Sequence, residues 1–286
     1  GGDSLSAMRL IGAINSSFGG ALGVRTVFEA PTVALLAPRV GEGVGGRAPL
    51  VAVARPAVIP LSFAQQRLWF IDQMQGPSPI YNMAAALGLS GCLDADALGA
   101  AVADVVGRHE SLRTLFVAAE GVPRQVVVPV EGIDFGWDVV DAVGWAAARR
   151  DEAIEAVTRR SFDLASEIPL QARLFRVGDD EHVLVIVVHH IAGDGWSITP
   201  LVRDLGMAYA SRCAGQVPGW APLAVQYADY TLWQQEWLGD LQDPESVIAA
   251  QLGYWERALA GMPERLQLPM DRPYPVVADL RGASVP

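Results

Sequence analysis

The sequence predicts a mixed α/β (α+β) fold entered through a small all-α unit, and three observations predict it. Residues 1–40 carry helical periodicity with no strand-like alternation. Residues 41–57 turn into "GEGVGGRAPLVAVARPA", rich in Gly, Pro, Ala and Val, which reads as a linker and a domain boundary. From residue 58 to 286 helical and strand-like segments alternate, and the most apolar of them, "VLVIVVHHIAGDGWSITPL" at 183–201, ends on two adjacent histidines.

Each element has its own local reason. "SLSAMRLIGAINSSFG" places Leu5, Met8, Ile11 and Ile14 at helical spacing and ends on Gly19-Gly20. A second short helix is expected after "EAPT", with Pro31 in its first turn. Beyond Pro60, "SFAQQRLWFIDQM" reads as a helix, "NMAAALGLSG" as a strand, and "DADALGAAVADVVGRH" as an amphipathic helix capped by Asp94. "LRTLFVAAEG" and "PRQVVVPV" read as strands joined at Glu120-Gly121, followed by a helix near 146–160. "LQARLFRV" and "HVLVIVVHH" form an expected hairpin about "GDD". Ser197 is expected to cap the next helix, whose apolar positions are Ile198, Leu201, Val202 and Leu205, and two more helices follow around 226–238 and 245–260.

Composition removes several classes of function. With 286 residues, 51% of them hydrophobic, the chain is long enough to bury a proper core. Its 32 acidic against 21 basic residues give a net charge of -11, which repels phosphate backbones and anionic lipid, so no nucleic acid and no membrane is expected as a partner. No apolar run approaches the ~20 residues that span a bilayer. Cys92 and Cys213 stand far apart with no ligand-like spacing, which fits a reducing cytoplasmic location. The chain opens on Gly1-Gly2 without a Met and is read as a segment of something longer.

The histidine pair carries the chemistry. Successive strand side chains point to opposite faces, so only one of His189 and His190 can face a given cleft. An imidazole with a pKa of ~6.5 can accept a proton at neutral pH, which suits acyl transfer to an alcohol, thiol or amine. No G-x-S-x-G elbow and no Cys beside a base accompanies it, which favours direct transfer between two bound substrates over a covalent acyl-enzyme. Taken alone, the pair also suits a structural strand end and, less often, a metal site; against metal, His109 and His182 have no ligand-type spacing to it.

The segments around the pair narrow the choice. "SFAQQRLWFIDQM" at 62–74, "RHESLRTLF" at 108–116, "HHIAGDGWS" at 189–197 and "YADYTLWQ" at 227–234 resemble, in order and spacing, the first four core motifs of condensation domains in nonribosomal peptide synthetases. "GGDSLSAMRLIGAI" similarly looks like the phosphopantetheine attachment site of a peptidyl carrier domain. The resemblance implies a partial carrier domain at 1–40, a linker at 41–57, and the N-terminal lobe of a chloramphenicol-acetyltransferase-like condensation domain at 58–286, with the C-terminal lobe missing.

By that resemblance Ser4 carries covalent 4'-phosphopantetheine, placed by a phosphopantetheinyl transferase, and no metal is implied. Ser4 follows two glycines and opens a helix, where a phosphate sits near the positive end of the helix dipole. His190 is implied to contact the acceptor amine as it attacks the donor thioester. His189 would face inward as support, and Asp194 would be structural, paired with Arg113, while Arg108 lies on the surface. Gly195 resembles a family glycine at which a side chain would obstruct the substrate tunnel. The implied partners are donor and acceptor carrier domains and the adenylation domain of one assembly line.

Relatives of the same fold keep other readings open. Epimerisation domains share the His-His motif and follow carriers reading Gly-Gly-Asp-Ser, but "SFAQQRLWF" and "RHESLRTLF" resemble the condensation versions. The carrier motif followed directly by the condensation motifs implies L-configured donors. A stand-alone acyltransferase, or a catalytically idle carrier or docking fragment, are the remaining alternatives.

Overall fold

The computed structural model describes residues 4–20, 22–40, 48–131, 133–266 and 269–273, and these fall into two compact units, 1–50 and 51–286. In the first, helix α1 (Ser4–Phe18) buries Ala7 and Ile11 while Met8 faces solvent. Asn15 near its end clamps the following turn, donating to the Leu22 carbonyl at 3.0 Å and accepting the Leu22 amide at 2.8 Å. A helix α2 (Val24–Glu29), not expected from the sequence, precedes α3 (Val33–Leu36). Thr32 caps α3 through its side chain, so Pro31 stands before the cap and outside the first turn where it was expected. The expected linker lies partly outside the described residues; 48–56 run without regular structure.

In the second unit, β1 (Ile59–Pro60) leads to α4 (Phe63–Gln75), which Ser62 and Gln65 close with a reciprocal capping box. Strand β2 (Asn82–Ser90) and helix α5 (Ala95–Arg108) follow, the helix capped by Asp94, whose carboxylate accepts the Ala97 amide at 2.9 Å. Strands β3 (Thr114–Ala119) and β4 (Val122–Val127) meet at Glu120 and Gly121, whose φ values of 53° and 80° are the left-handed pair that a tight hairpin turn requires. Strand β5 (Asp138–Asp141) was not expected; α6 (Ala147–Thr158), β6 (Leu170–Arg176) and β7 (Glu181–His189) occupy their expected places. Helices α7 (Gly195–Cys213), α8 (Tyr227–Leu238) and α9 (Val247–Ala258) complete the described chain.

The strands form a sheet in the order β2-β7-β6-β5, antiparallel except for the parallel β5-β6 pair, and a smaller sheet β1-β4-β3. Strand β7 is buried on both faces, which explains its unbroken aliphatic run. Val185 and Val187 join Phe116, Phe162, Phe175 and Leu68 of α4 in one core cluster, with Val157 of α6. On the opposite face Val188 packs with Val102, Val105 and Val106 of α5, and Leu201 and Leu205 of α7 lie against that cluster. Two packed faces hold the end of β7 rigidly in place.

Candidate active site

Strand β7 delivers the two histidines to different environments. His189 pairs across the sheet with Asn82 and is 3% exposed, between the rings of Tyr81 and Phe162 at 6.3 Å each. Its Nδ1 accepts the Ile191 amide at 3.2 Å, which puts the proton of the neutral ring on Nε2. Burial, with His190 alongside, pushes its pKa down to about 4, so it is uncharged at neutral pH. His190 lies one residue beyond the strand with its side chain exposed, while its amide donates to the Tyr81 carbonyl at 2.8 Å. The backbone of His190 is thus fixed and its imidazole is left to solvent.

The turn after it is built differently from the sequence expectation. Asp194, not Ser197, caps α7: its carboxylate accepts the amides of Trp196 and Ser197 at 3.0 and 3.1 Å, and the Ser197 hydroxyl accepts the Asp194 amide at 3.0 Å. Ser197 is the return half of that capping box. The Asp194–Arg113 pair does not form. Arg113 instead donates to the Val128 carbonyl and lies 3.7 Å from Glu110. A carboxylate that already satisfies two helix-end amides and a hydroxyl has no need of a guanidinium.

Arg108, expected on the surface, is 11% exposed in its side chain and donates to Asp204 at 2.8 Å and to the Ala221 carbonyl at 2.7 Å, with Trp220 under its guanidinium at 4.7 Å. At Gly195 an added Cβ would meet nothing within 4 Å, so the described residues supply no wall for it to obstruct. Within this turn the crowded glycine is Gly193, where a Cβ would stand 3.2 Å from both Cβ and Oγ of Ser197.

The remaining motifs hydrogen-bond to one another. Ser62 Oγ lies 2.9 Å from Tyr227 Oη, joining α4 to α8. Gln125 of β4 links Gln65, whose amide donates to it at 3.3 Å, to Thr231 at 3.2 Å. Gln226 accepts the Glu110 amide and donates to the Arg108 carbonyl. Arg55 donates to Glu110 at 2.6 Å and to Asp229, 3% exposed, at 3.2 Å. Nothing local in the sequence marks Arg55, His109 or Asp204 for this role: apart from Arg203 beside Asp204, their partners lie 55 to 174 residues away. Ser4 opens α1, and no acidic residue stands in that first turn. Among the described residues no three His, Cys, Asp or Glu side chains gather as a metal site would need.

Comparison with known proteins gives the family. The Condensation domain family profile matches residues 56–285, and the Phosphopantetheine attachment site profile matches residues 1–40. The chain belongs to the condensation-domain family. This condensation-family chain is 61% identical over 287 residues to the isonitrile lipopeptide synthase of Mycobacterium tuberculosis, covering 99% of this chain and 11% of that protein. It is 48% identical to the dimodular nonribosomal peptide synthase of Bacillus subtilis, covering 100% of this chain and 12% of that one. Among solved structures it is similar to the X-domain in its complex with OxyB from teicoplanin biosynthesis, at 36% identity and TM-score 0.73, over 82% of this chain and 50% of that one. The starter condensation domain of the rhizomide synthetase RzmA shares the fold at TM-score 0.62 and 20% identity, over 73% and 49% of the two chains. The condensation fold, chloramphenicol-acetyltransferase-like, follows from these likenesses. The chain spans about a tenth of the length of these curated relatives and about half of these solved chains.

Proposed function

We propose that residues 58–286 form the N-terminal lobe of a peptide-bond-forming condensation domain, joined by the 41–57 linker to a partial carrier domain at 1–40. The observation that carries this reading is the contrast at the end of β7, a buried neutral His189 supporting an exposed His190. The acceptor amine nitrogen attacks the donor thioester carbonyl, a C–N bond forms, and the C–S bond breaks. The proton lost by the nitrogen passes through the His190 imidazole to the departing thiolate, leaving an amide and a free thiol. A positioned imidazole that only orients the amine satisfies the same geometry. Donor and acceptor arrive on carrier domains, charged by an adenylation domain of the same assembly line, and the donor is L-configured. The exposed, unpaired Cys92 and Cys213 suit a reducing cytoplasm.

The start of α1 fits 4'-phosphopantetheine. Ser4 is the first residue of a 15-residue helix whose first turn holds no carboxylate, so a phosphodiester there would meet the positive end of the helix dipole, with Asp3 the acid beside it in the sequence. When bound, the group supplies a flexible arm ending in a thiol that holds an acyl unit as a thioester. Ser4 would anchor that arm at the start of α1.

The test is intact mass after incubation with coenzyme A and a broad-specificity phosphopantetheinyl transferase, beside Ser4→Ala. A gain of one phosphopantetheine arm, absent in the variant, supports the carrier reading. Amide formation from a donor thioester and an acceptor amine, lost in His190→Ala, supports the condensation reading. Full activity in His190→Ala would overturn it.

A further inference from the structure

Helix α7 begins where the His190 turn ends, and its start is intrinsically weak. Pro200, in its second turn, has no amide to give to the Trp196 carbonyl, and a proline ring inside a helix pushes the preceding turn away. The capping box of Asp194 and Ser197 secures the first turn only. One turn beyond Pro200 stands Asp204, whose side chain is 2% exposed. It receives Arg108 Nε at 2.8 Å, His109 Nε2 at 2.9 Å, and both Nε and Nη2 of Arg203 at 3.1 and 3.0 Å. Burial opposes the charge on Asp204, but the hydrogen bonds from His109, Arg203 and Arg108 outweigh it and hold its carboxyl below the usual range. Burial lowers the His109 pKa despite Asp204, and a hydrogen bond to an ionised carboxylate requires the ring proton on Nε2.

His109 also lines a small cavity of about 120 Å³ together with Ser111 and Leu112 on one side and Ala192, Ser197, Pro200 and Leu201 on the other. The second side is the His190 turn and the weak start of α7. Arg108 and His109 themselves are fixed at the end of α5, with the His109 amide bonded to the Val105 carbonyl at 3.0 Å and the Arg108 carbonyl bonded by Gln226.

We infer that Asp204 and His109 form a positioning pair that anchors α7 immediately after Pro200 and so sets the place of the turn presenting His190. The pair performs the fastening that the family resemblance implied for Asp194 and Arg113. The pair acts through the turn and is assigned no contact with the reacting atoms. The inference rests on His190 as the working imidazole, and its test reads position separately from chemistry.

The chain is labelled with 15N-histidine, which gives four ring systems, and its amide hydrogen exchange is followed alongside. In the wild type His109 shows a proton on Nε2. Asp204→Ala is expected to shift the ring signals of His190 and to speed amide exchange at 190–196 at least tenfold, with β6 and β7 amides changed less than twofold. Asp204→Asn, which keeps an acceptor, restores most of the wild-type pattern. If Asp204→Ala does not fold, His109→Ala, which removes one of the carboxylate's donors, is expected to move the same His190 signals and the same amides by a smaller factor. Unchanged His190 signals and unchanged 190–196 exchange in the folded variants would overturn the positioning role, whatever happens to the melting temperature. Shifted signals together with undiminished amide formation in His190→Ala would leave the positioning pair standing and remove the catalytic reading instead.

Discussion

His189 Nδ1 accepts the amide of Ile191, two residues further on, at 3.2 Å, and this single bond ties the tautomer of the buried ring to the shape of the turn that exposes His190. The ring is 3% exposed, and burial depresses its pKa from 6.5 to about 4. Between those values the unfolded chain binds a proton that the folded chain does not, so this contribution to stability is complete above pH 6.5 and is lost as pH falls through 4. By linkage, the contribution is about 3 kcal/mol between pH 7 and pH 4. Urea unfolding across that range is expected to show the acid slope in the wild type and a shallower one in His189→Leu. An identical slope in both would mean that His189 is not held neutral.

Asp194 and Arg113 are expected to be energetically independent. Removing the Asp194 cap in Asp194→Ala should cost about 1–2 kcal/mol, the usual worth of an N-cap carboxylate. Arg113→Ala loses a bond to the Val128 carbonyl on a different element. The double variant should therefore show the sum of the single effects to within about 0.5 kcal/mol. A coupling beyond about 1 kcal/mol would restore the ion pair that the structure replaces.

These two cases mark where the sequence was legible and where it was not. The cap at Asp94, the Glu120-Gly121 turn and the abrupt end of β7 are signals written within a few residues, and each produced its element. The cap at Asp194 was written as locally, since Asp is among the strongest N-cap residues. Family resemblance drew attention to an arginine instead. Strand β5 has only four residues with an acid at each end, and its reason to exist is a parallel pairing with β6, which local pattern cannot carry. Asp204 looks like any solvent-facing helix acid; only the folded chain brings Arg108 and His109, 96 and 95 positions earlier, to its carboxylate. Arg55 was hidden inside a stretch whose composition reads as linker.

The glycines of the turn should divide by crowding. Gly193→Ala places a Cβ 3.2 Å from Ser197, whose side chain is held by the capping box and cannot turn aside freely. The expected cost is about 1 kcal/mol or more, with exchange rising at the Trp196 and Ser197 amides. Gly195→Ala enters open space at the first position of α7, where alanine is the better helix former, so its unfolding midpoint should be equal or higher. A loss of stability in Gly195→Ala matching that of Gly193→Ala would contradict the geometry. If Gly195→Ala slows amide formation while remaining stable, the obstruction it creates lies in the path of the substrate.

Arg55 lies one residue before the span matched by the condensation family and well past the 1–40 match, yet it fastens two motifs of the core. Its guanidinium joins Glu110, 18% exposed in its side chain, to Asp229, 3% exposed. Burial opposes its charge, but the bonds to Asp229 and Glu110 outweigh that and raise its pKa. Arg55→Ala would leave a buried carboxylate without its cation, the situation in which losing one partner costs most, and about 2–3 kcal/mol is expected for a pair partly open to water. Arg55→Lys should recover only part, because an ammonium cannot span both carboxylates as the planar guanidinium does. The decisive comparison is Arg55→Ala with and without Asp229→Asn. Removing the stranded charge should return about 1 kcal/mol, since Asn still accepts the Gln226 amide that Asp229 now holds at 2.8 Å. If Arg55→Ala unfolds at the wild-type urea midpoint, the bridge is ordinary surface pairing, and 41–57 is linker throughout.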